Sequence, residues 1–185
     1  MLKITTVPND ILNQTVIPVK KIDAKIINLI AEMEKTLVVQ DDPPGVGLAA
    51  PQVGENLALF IIKPTERAKT KVFINPKIIK SEILETGGLK LDGNTSKKKK
   101  QKPVKLEGCL SIPRIWGPVK RSDKILVEYQ DLSGSIKKDW FHGLEAIIIQ
   151  HEIDHLSGVL FTQRSVEQNL PIYEEKNDQL EKIDY

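Results

Sequence analysis

The stretch Gly143-Leu144-Glu145-Ala146-Ile147-Ile148-Ile149-Gln150-His151-Glu152-Ile153-Asp154-His155-Leu156 decides the fold. Leu144, Ile147, Ile148, His151 and His155 share one helical face, and Ala146, Ile149, Ile153 and Leu156 cover another. A helix apolar almost all round is a buried one, so this segment reads as the central helix of the domain, with Gly158 as its stop. His151 and His155 lie one turn apart, where both imidazoles reach a single ion. Glu152 stands beside the first of them, where its carboxylate can take a proton from water at the metal. The plain alternative is two satisfied core histidines with surface acids. It is a poor one in a chain with only 3 histidines.

Outward from this helix the chain changes character. Asp23 to Val39 carries Ile26, Ile27, Leu29, Ile30, Met33 and Leu37 at helical spacing, with Lys25, Glu32, Glu34 and Lys35 facing water. Asp41-Asp42-Pro43-Pro44-Gly45 ends it. Short β-type runs follow at Leu57 to Ile62, Val72 to Ile74, Ile78-Ile79 and Ile125 to Tyr129, separated by turns such as Asn75-Pro76 and Ser133-Gly134. Short, mostly antiparallel strands wrapped around a buried helix give an α+β fold. Residues 1–185 read as one domain, with a polar, basic excursion from Gly87 to Pro103 and a C-terminal segment over residues 165–185.

Two histidines do not complete a metal site. One class of zinc peptidases adds a histidine downstream of a glycine; Gly158 is in place, but the position holds Phe161. Another class takes a glutamate from a later helix, here Glu174 or Glu175. The third candidate is Cys109, whose thiolate suits a borderline metal better than a carboxylate. It lies in Glu107-Gly108-Cys109-Leu110-Ser111, where Gly108 allows the backbone to approach another group closely. His142 completes the candidates, although it reads better as a helix-start residue.

Glu107-Gly108-Cys109-Leu110-Ser111 and His151-Glu152-Ile153-Asp154-His155, with Gly45-Val46-Gly47-Leu48-Ala49-Ala50-Pro51-Gln52 ahead of them, resemble the three hallmark motifs of the peptide deformylase family, intact and in the family's order. The resemblance covers nearly the whole chain. It implies removal of the N-formyl group from the initiator methionine of newly made polypeptides, with release of formate. It also implies Cys109, His151 and His155 as ligands of one divalent ion, Glu152 as the base, and the Gln52 amide and Leu110 N–H as donors to the developing oxyanion. The ion it implies is Fe2+ first and Zn2+ second, while two imidazoles and a thiolate equally suit Ni2+ or Co2+. Val46, Leu144, Ile147 and Ile148 would form the methionine pocket, and the Gly47 backbone would pair with the substrate. Two departures are local: the long excursion, and Thr162-Gln163-Arg164 where the family usually carries an acid before the arginine. A carboxylate two residues before a ligand should be buried and paired, which points to Glu107 with Arg121.

Bulk properties narrow the class. Lys plus Arg is 27 against 25 for Asp plus Glu, a net charge of +2, which gives no general reason to expect DNA or RNA binding. The run Lys97 to Lys100, with Lys102 and Lys105, reads as a solvated loop tip, ahead of a transient electrostatic contact with the ribosome. No apolar stretch is long enough to cross a bilayer, and one cysteine allows no internal disulfide. Formylated initiators belong to bacteria and their organelle descendants, so bacterial cytoplasm is the expected compartment. A small zinc endopeptidase using Glu174 or Glu175 is the rival enzyme, and it predicts that Cys109 is dispensable. A structural metal site in a binding module would need His142 as a fourth ligand.

Overall fold

The computed structural model describes residues 1–83 and 105–184; the basic excursion from Gly87 to Pro103 lies outside them. The first helix, α1 (Ala24–Leu37), starts at Asp23, whose side chain accepts from the Lys25 and Ile26 N–H groups and so satisfies two orphan donors. It buries Ile26, Ile30, Met33 and Leu37, successive positions of one stripe. It stops two residues short of the expected Val39, and Val38 and Val39 are exposed. Gly45 closes the turn that follows, because a Cβ there would lie 2.2 Å from the Leu37 carbonyl oxygen.

Five strands form the larger sheet: β1 (Gly47–Ala49), β2 (Leu59–Ile62), β3 (Lys71–Glu82), β6 (Lys124–Gln130) and β7 (Ile136–His142), in that spatial order and all antiparallel. The second sheet has the order β4 (Leu106–Cys109), β5 (Ile112–Pro118), β8 (Ile172–Lys176), β9 (Gln179–Ile183). The expected turn at Asn75-Pro76 is instead a bulge inside one 12-residue strand, with the register shifting between Ile74 and Lys77. Proline lacks the ladder N–H, and the bulge removes the need for it. The Asn75 side chain exchanges hydrogen bonds with Val19 N–H (2.8 Å) and Val19 C=O (2.9 Å), which holds the kink in place. Ser133-Gly134 does turn the chain, joining β6 to β7 with Gly134 at φ 79°.

The central helix α2 (Gly143–Leu156) has the expected limits. It packs Ala146, Ile148, Ile149 and Leu156 against Phe60, Ile62, Phe73, Ile125, Val127 and Phe141 of the large sheet. Gly158 follows in the left-handed region at φ 70°, with its position against Asn13 leaving no room for a Cβ. A short helix α3 (Phe161–Glu167) then leads into the β8–β9 hairpin. Its two-residue turn is Asn177-Asp178, both at positive φ, the pattern of a type I′ turn. Glu174 and Glu175, expected on a later helix, are therefore on a strand.

Candidate metal centre and active site

Cys109 ends β4 directly before the Leu110-Ser111 turn, which hands the chain back to β5 through the Cys109–Ile112 pair. That places its sulfur over α2, and the ligand atoms of Cys109, His151 and His155 all lie within 4.8 Å of one another. Cys109 Sγ is 3.2 Å from His155 Nε2. No other group of three or more metal-binding side chains occurs among the described residues. His142 caps the start of α2 and is exposed, as a helix-start residue should be. Glu175 accepts the Trp116 indole N–H at 2.8 Å, and Glu174 pairs with Lys176, so neither rival ligand joins the cluster. Phe161 is buried and stacks on His151 with centroids 6.0 Å apart.

The electrostatics suit a cation. Burial would raise the Cys109 pKa, but the charge of His155 and hydrogen bonds from both histidines hold the thiol well below its usual range. Burial would lower His151, yet its bonds to Cys109 and Glu107 raise it well above its usual value. The buried trio thus favours a thiolate, the form that binds metal. Glu152 is buried, its Oε2 has no hydrogen-bond partner, and burial pushes its carboxyl up to about 7. A bound divalent cation would draw that value back down.

Gln52 sits in the short turn Ala50–Val53 at the end of β1. Its Oε1 accepts the Ala49 N–H at 2.8 Å, while its Nε2 donates to Ser111 Oγ at 3.2 Å and points at Cys109 Sγ, 3.4 Å away. The amide N–H groups therefore face the cluster. Gly47 lies against Glu152: a Cβ there would be 2.3 Å from the carboxylate Oε1. A Gly47→Ala variant should keep its metal but lose about 10²-fold in kcat, because the methyl displaces the Glu152 carboxylate. Metal analysis alongside steady-state rates checks this, and an unchanged kcat would show that Glu152 has slack.

The expected Glu107–Arg121 pair is present and bidentate, 2.8 Å on each arm, with both side chains about nine-tenths buried. Glu107 Oε2 is also 3.0 Å from His151 Nδ1, so the carboxylate orients that ring and leaves Nε2 available to a metal. Two residues extend the network that sequence reasoning did not assign. Asp154 accepts from Arg121 at 2.5 Å and from Arg164 at 2.7 Å, tying α3 and α2 to β4. Arg164 belongs to the stretch that departs from the family pattern, and it also pairs with Glu167 at 3.2 Å. Ser111, two residues after Cys109, anchors Gln52 by accepting its amide N–H.

Burial would raise the Glu107 pKa, but Arg121 and then His151 outweigh it and hold the carboxyl at about 2, against 4.5 unfolded. A depressed folded pKa contributes stability that is complete above pH 4.5 and is lost as the pH falls towards 2. The shift corresponds to roughly 3 kcal/mol. Denaturant titrations from pH 6 down to 3 should show this acid loss in the wild type and a much flatter profile in Glu107→Gln. Parallel profiles would refute it.

Of the expected pocket residues, Val46 and Ile148 meet in one apolar cluster, whereas Ile147 is half-buried and Leu144 is 45% exposed. Leu110 packs on the edge of the α1 cluster beside the metal group.

A thiolate and two imidazoles converging beside a buried carboxylate, on an α+β frame, define a metal-dependent hydrolase. The model of the polypeptide deformylase family matches residues 1–170. A peptide deformylase of Dictyoglomus turgidum is 39% identical over 169 residues, covering 91% of this chain and 95% of that one. Among solved structures, the peptide deformylase of Synechococcus elongatus, in complex with actinonin, superposes with a TM-score of 0.73 at 35% identity, covering 88% of this chain and 79% of that one. The Thermotoga maritima peptide deformylase gives 0.72 at 32% identity, with 89% and 97% covered. The chain belongs to the polypeptide deformylase family. No helix among the described residues is long and apolar enough to cross a membrane.

Proposed function

We propose that this chain removes the N-formyl group from formyl-methionyl polypeptides, releasing formate, with one divalent ion held by Cys109, His151 and His155. One observation carries the reading: the three ligand atoms within 4.8 Å of one another, next to the unpartnered carboxylate oxygen of Glu152. The donor set fits a borderline metal, and ferrous iron is the ion we assign first, zinc second. Bacterial cytoplasm, where formylated chains emerge, is the compartment this reading gives.

When bound, such an ion supplies a Lewis acid and lowers the pKa of water towards neutrality. Glu152 accepts the proton of the attacking water and returns it to the leaving amine. Gln52 Nε2, held by Ala49 and Ser111, offers an N–H to the formyl oxygen as it gains charge, and the Leu110 N–H at the adjoining turn serves as its partner. β1 is the edge strand of its sheet, so the Gly47 backbone is placed to pair with an extended substrate. Val46 and Ile148, with Leu144 and Ile147 at the rim, would take the methionine side chain. The exposed apolar surface of Leu144 is then covered by substrate.

Gln52→Leu should lower kcat by about 10²–10³-fold, the usual loss for one oxyanion donor. An equal loss in metal content would assign Gln52 to the ligand shell instead. The function itself is tested by mass spectrometry of a formyl-Met peptide after incubation. Loss of the formyl group alone supports the reading, and cleavage at an internal peptide bond supports an endopeptidase.

A further inference from the structure

The β8–β9 hairpin lies beyond the residues that the family model matches, yet it is linked through Trp116 of β5 to the strand that carries Cys109. Among the described residues, β4 is the edge of its sheet and pairs only with β5. The ladder between them breaks immediately before the ligand: Gly108 pairs with Trp116, but Cys109 pairs with Ile112, and the intervening residues of β5 bulge out with Arg114 at φ 62°. The regular ladder therefore ends at Gly108, and Cys109 pairs in a shifted register one residue on. At that last regular pair the indole ring of Trp116 also lies against Gly108: a Cβ at Gly108 would be 2.7, 2.9 and 3.1 Å from Cζ3, Cε3 and Cη2. The ring in turn is held from the far side. Its Nε1–H donates to Glu175 Oε2 at 2.8 Å, and Trp116 pairs through the backbone with Tyr173.

We propose that the C-terminal hairpin is a positioning element for the metal centre, in which Glu175 locks the Trp116 ring against Gly108 and so fixes where the Cys109 thiolate meets the ion. Neither residue touches the metal. The order of contacts runs from β8 to the indole, from the indole to the Gly108 backbone, and from there to the ligand one residue on. The inference rests on Cys109 being a ligand, as the proposed function has it.

The test uses full-length protein loaded with Zn2+ or with Co2+. Release of zinc to a chelator gives the strength of the centre, and the near-ultraviolet thiolate-to-cobalt charge-transfer band reports the geometry at the sulfur. Glu175→Leu should release zinc about 10-fold faster and shift or weaken the band, whereas Glu175→Gln keeps an acceptor for the indole and should restore both. Trp116→Phe, which leaves a ring against Gly108 but removes its N–H, should move both readouts in the same direction as Glu175→Leu. If these variants only lower the melting temperature, with release rate and band as in the wild type, the hairpin is mere structural cover and the proposal is overturned. A wild-type protein that binds cobalt without a thiolate band overturns it as well. A wild type that shows the band but yields no formate contradicts only the proposed function.

Discussion

Glu152→Gln should retain one metal ion per chain and lose roughly 10²–10⁴-fold in kcat, the scale of a positioned acid–base catalyst. The two side chains have the same shape, and the three ligands are untouched, so a loss of turnover isolates proton transfer. In the wild type the base must be ionised, so kcat/KM should fall as the pH drops, with its acid limb at or below about 7, the value to which burial raises this carboxyl. Glu152→Gln should lack that limb. The linkage has the opposite sign to that of Glu107. A carboxyl whose folded pKa is raised above 4.5 costs stability once the pH exceeds its unfolded value. Metal-free Glu152→Gln should therefore be more stable than metal-free wild type at pH 8. Retention of more than about a tenth of wild-type kcat would remove Glu152 as the base, since acid–base catalysts contribute far more than that.

Cys109→Ala should reduce bound metal to a small fraction of one ion per chain, and activity should fall with it. Two imidazoles remain, and no other group of metal-binding side chains is present among the described residues to replace the sulfur. The fold should survive. Cys109 packs with Ile112 and Phe161, and the small cavity left among them costs about 1 kcal/mol. Full metal content with full activity in this variant would contradict the ligand set.

The parts of this molecule that were readable in its sequence are those with a strong period or a fixed chemical spacing. α2 was legible to its first and last residue because an apolar run with two histidines one turn apart fits only a buried helix. Cys109 could be weighed against Glu174 and Glu175 by ligand chemistry, but only the fold shows that β8 turns those acids towards Trp116 and Lys176. Glu107–Arg121 followed from the need to orient a ligand. Its continuation through Asp154 to Arg164 did not, because no spacing rule links a helix acid to an arginine on the next helix. β7 was missed for a different reason: Ile136-Lys137-Lys138-Asp139-Trp140 is exposed on the sheet's edge and carries no apolar alternation. β3 was split because proline is a strand breaker in isolation, and only the bulge at Asn75-Pro76 makes it tolerable. The β8–β9 turn carried a signal in Asn177-Asp178, but its strands are too polar to be separated from loop by pattern alone.

We propose that one ion, held by Cys109, His151 and His155, works with Glu152 to hydrolyse a formyl amide. The most direct measurement is formate release from a formyl-Met peptide as Fe2+ is titrated anaerobically into metal-stripped protein. Without metal no formate should form, and the rate should climb linearly to a break at one ion per chain. Formate release by the stripped protein, or a break at two ions per chain, would contradict the proposal.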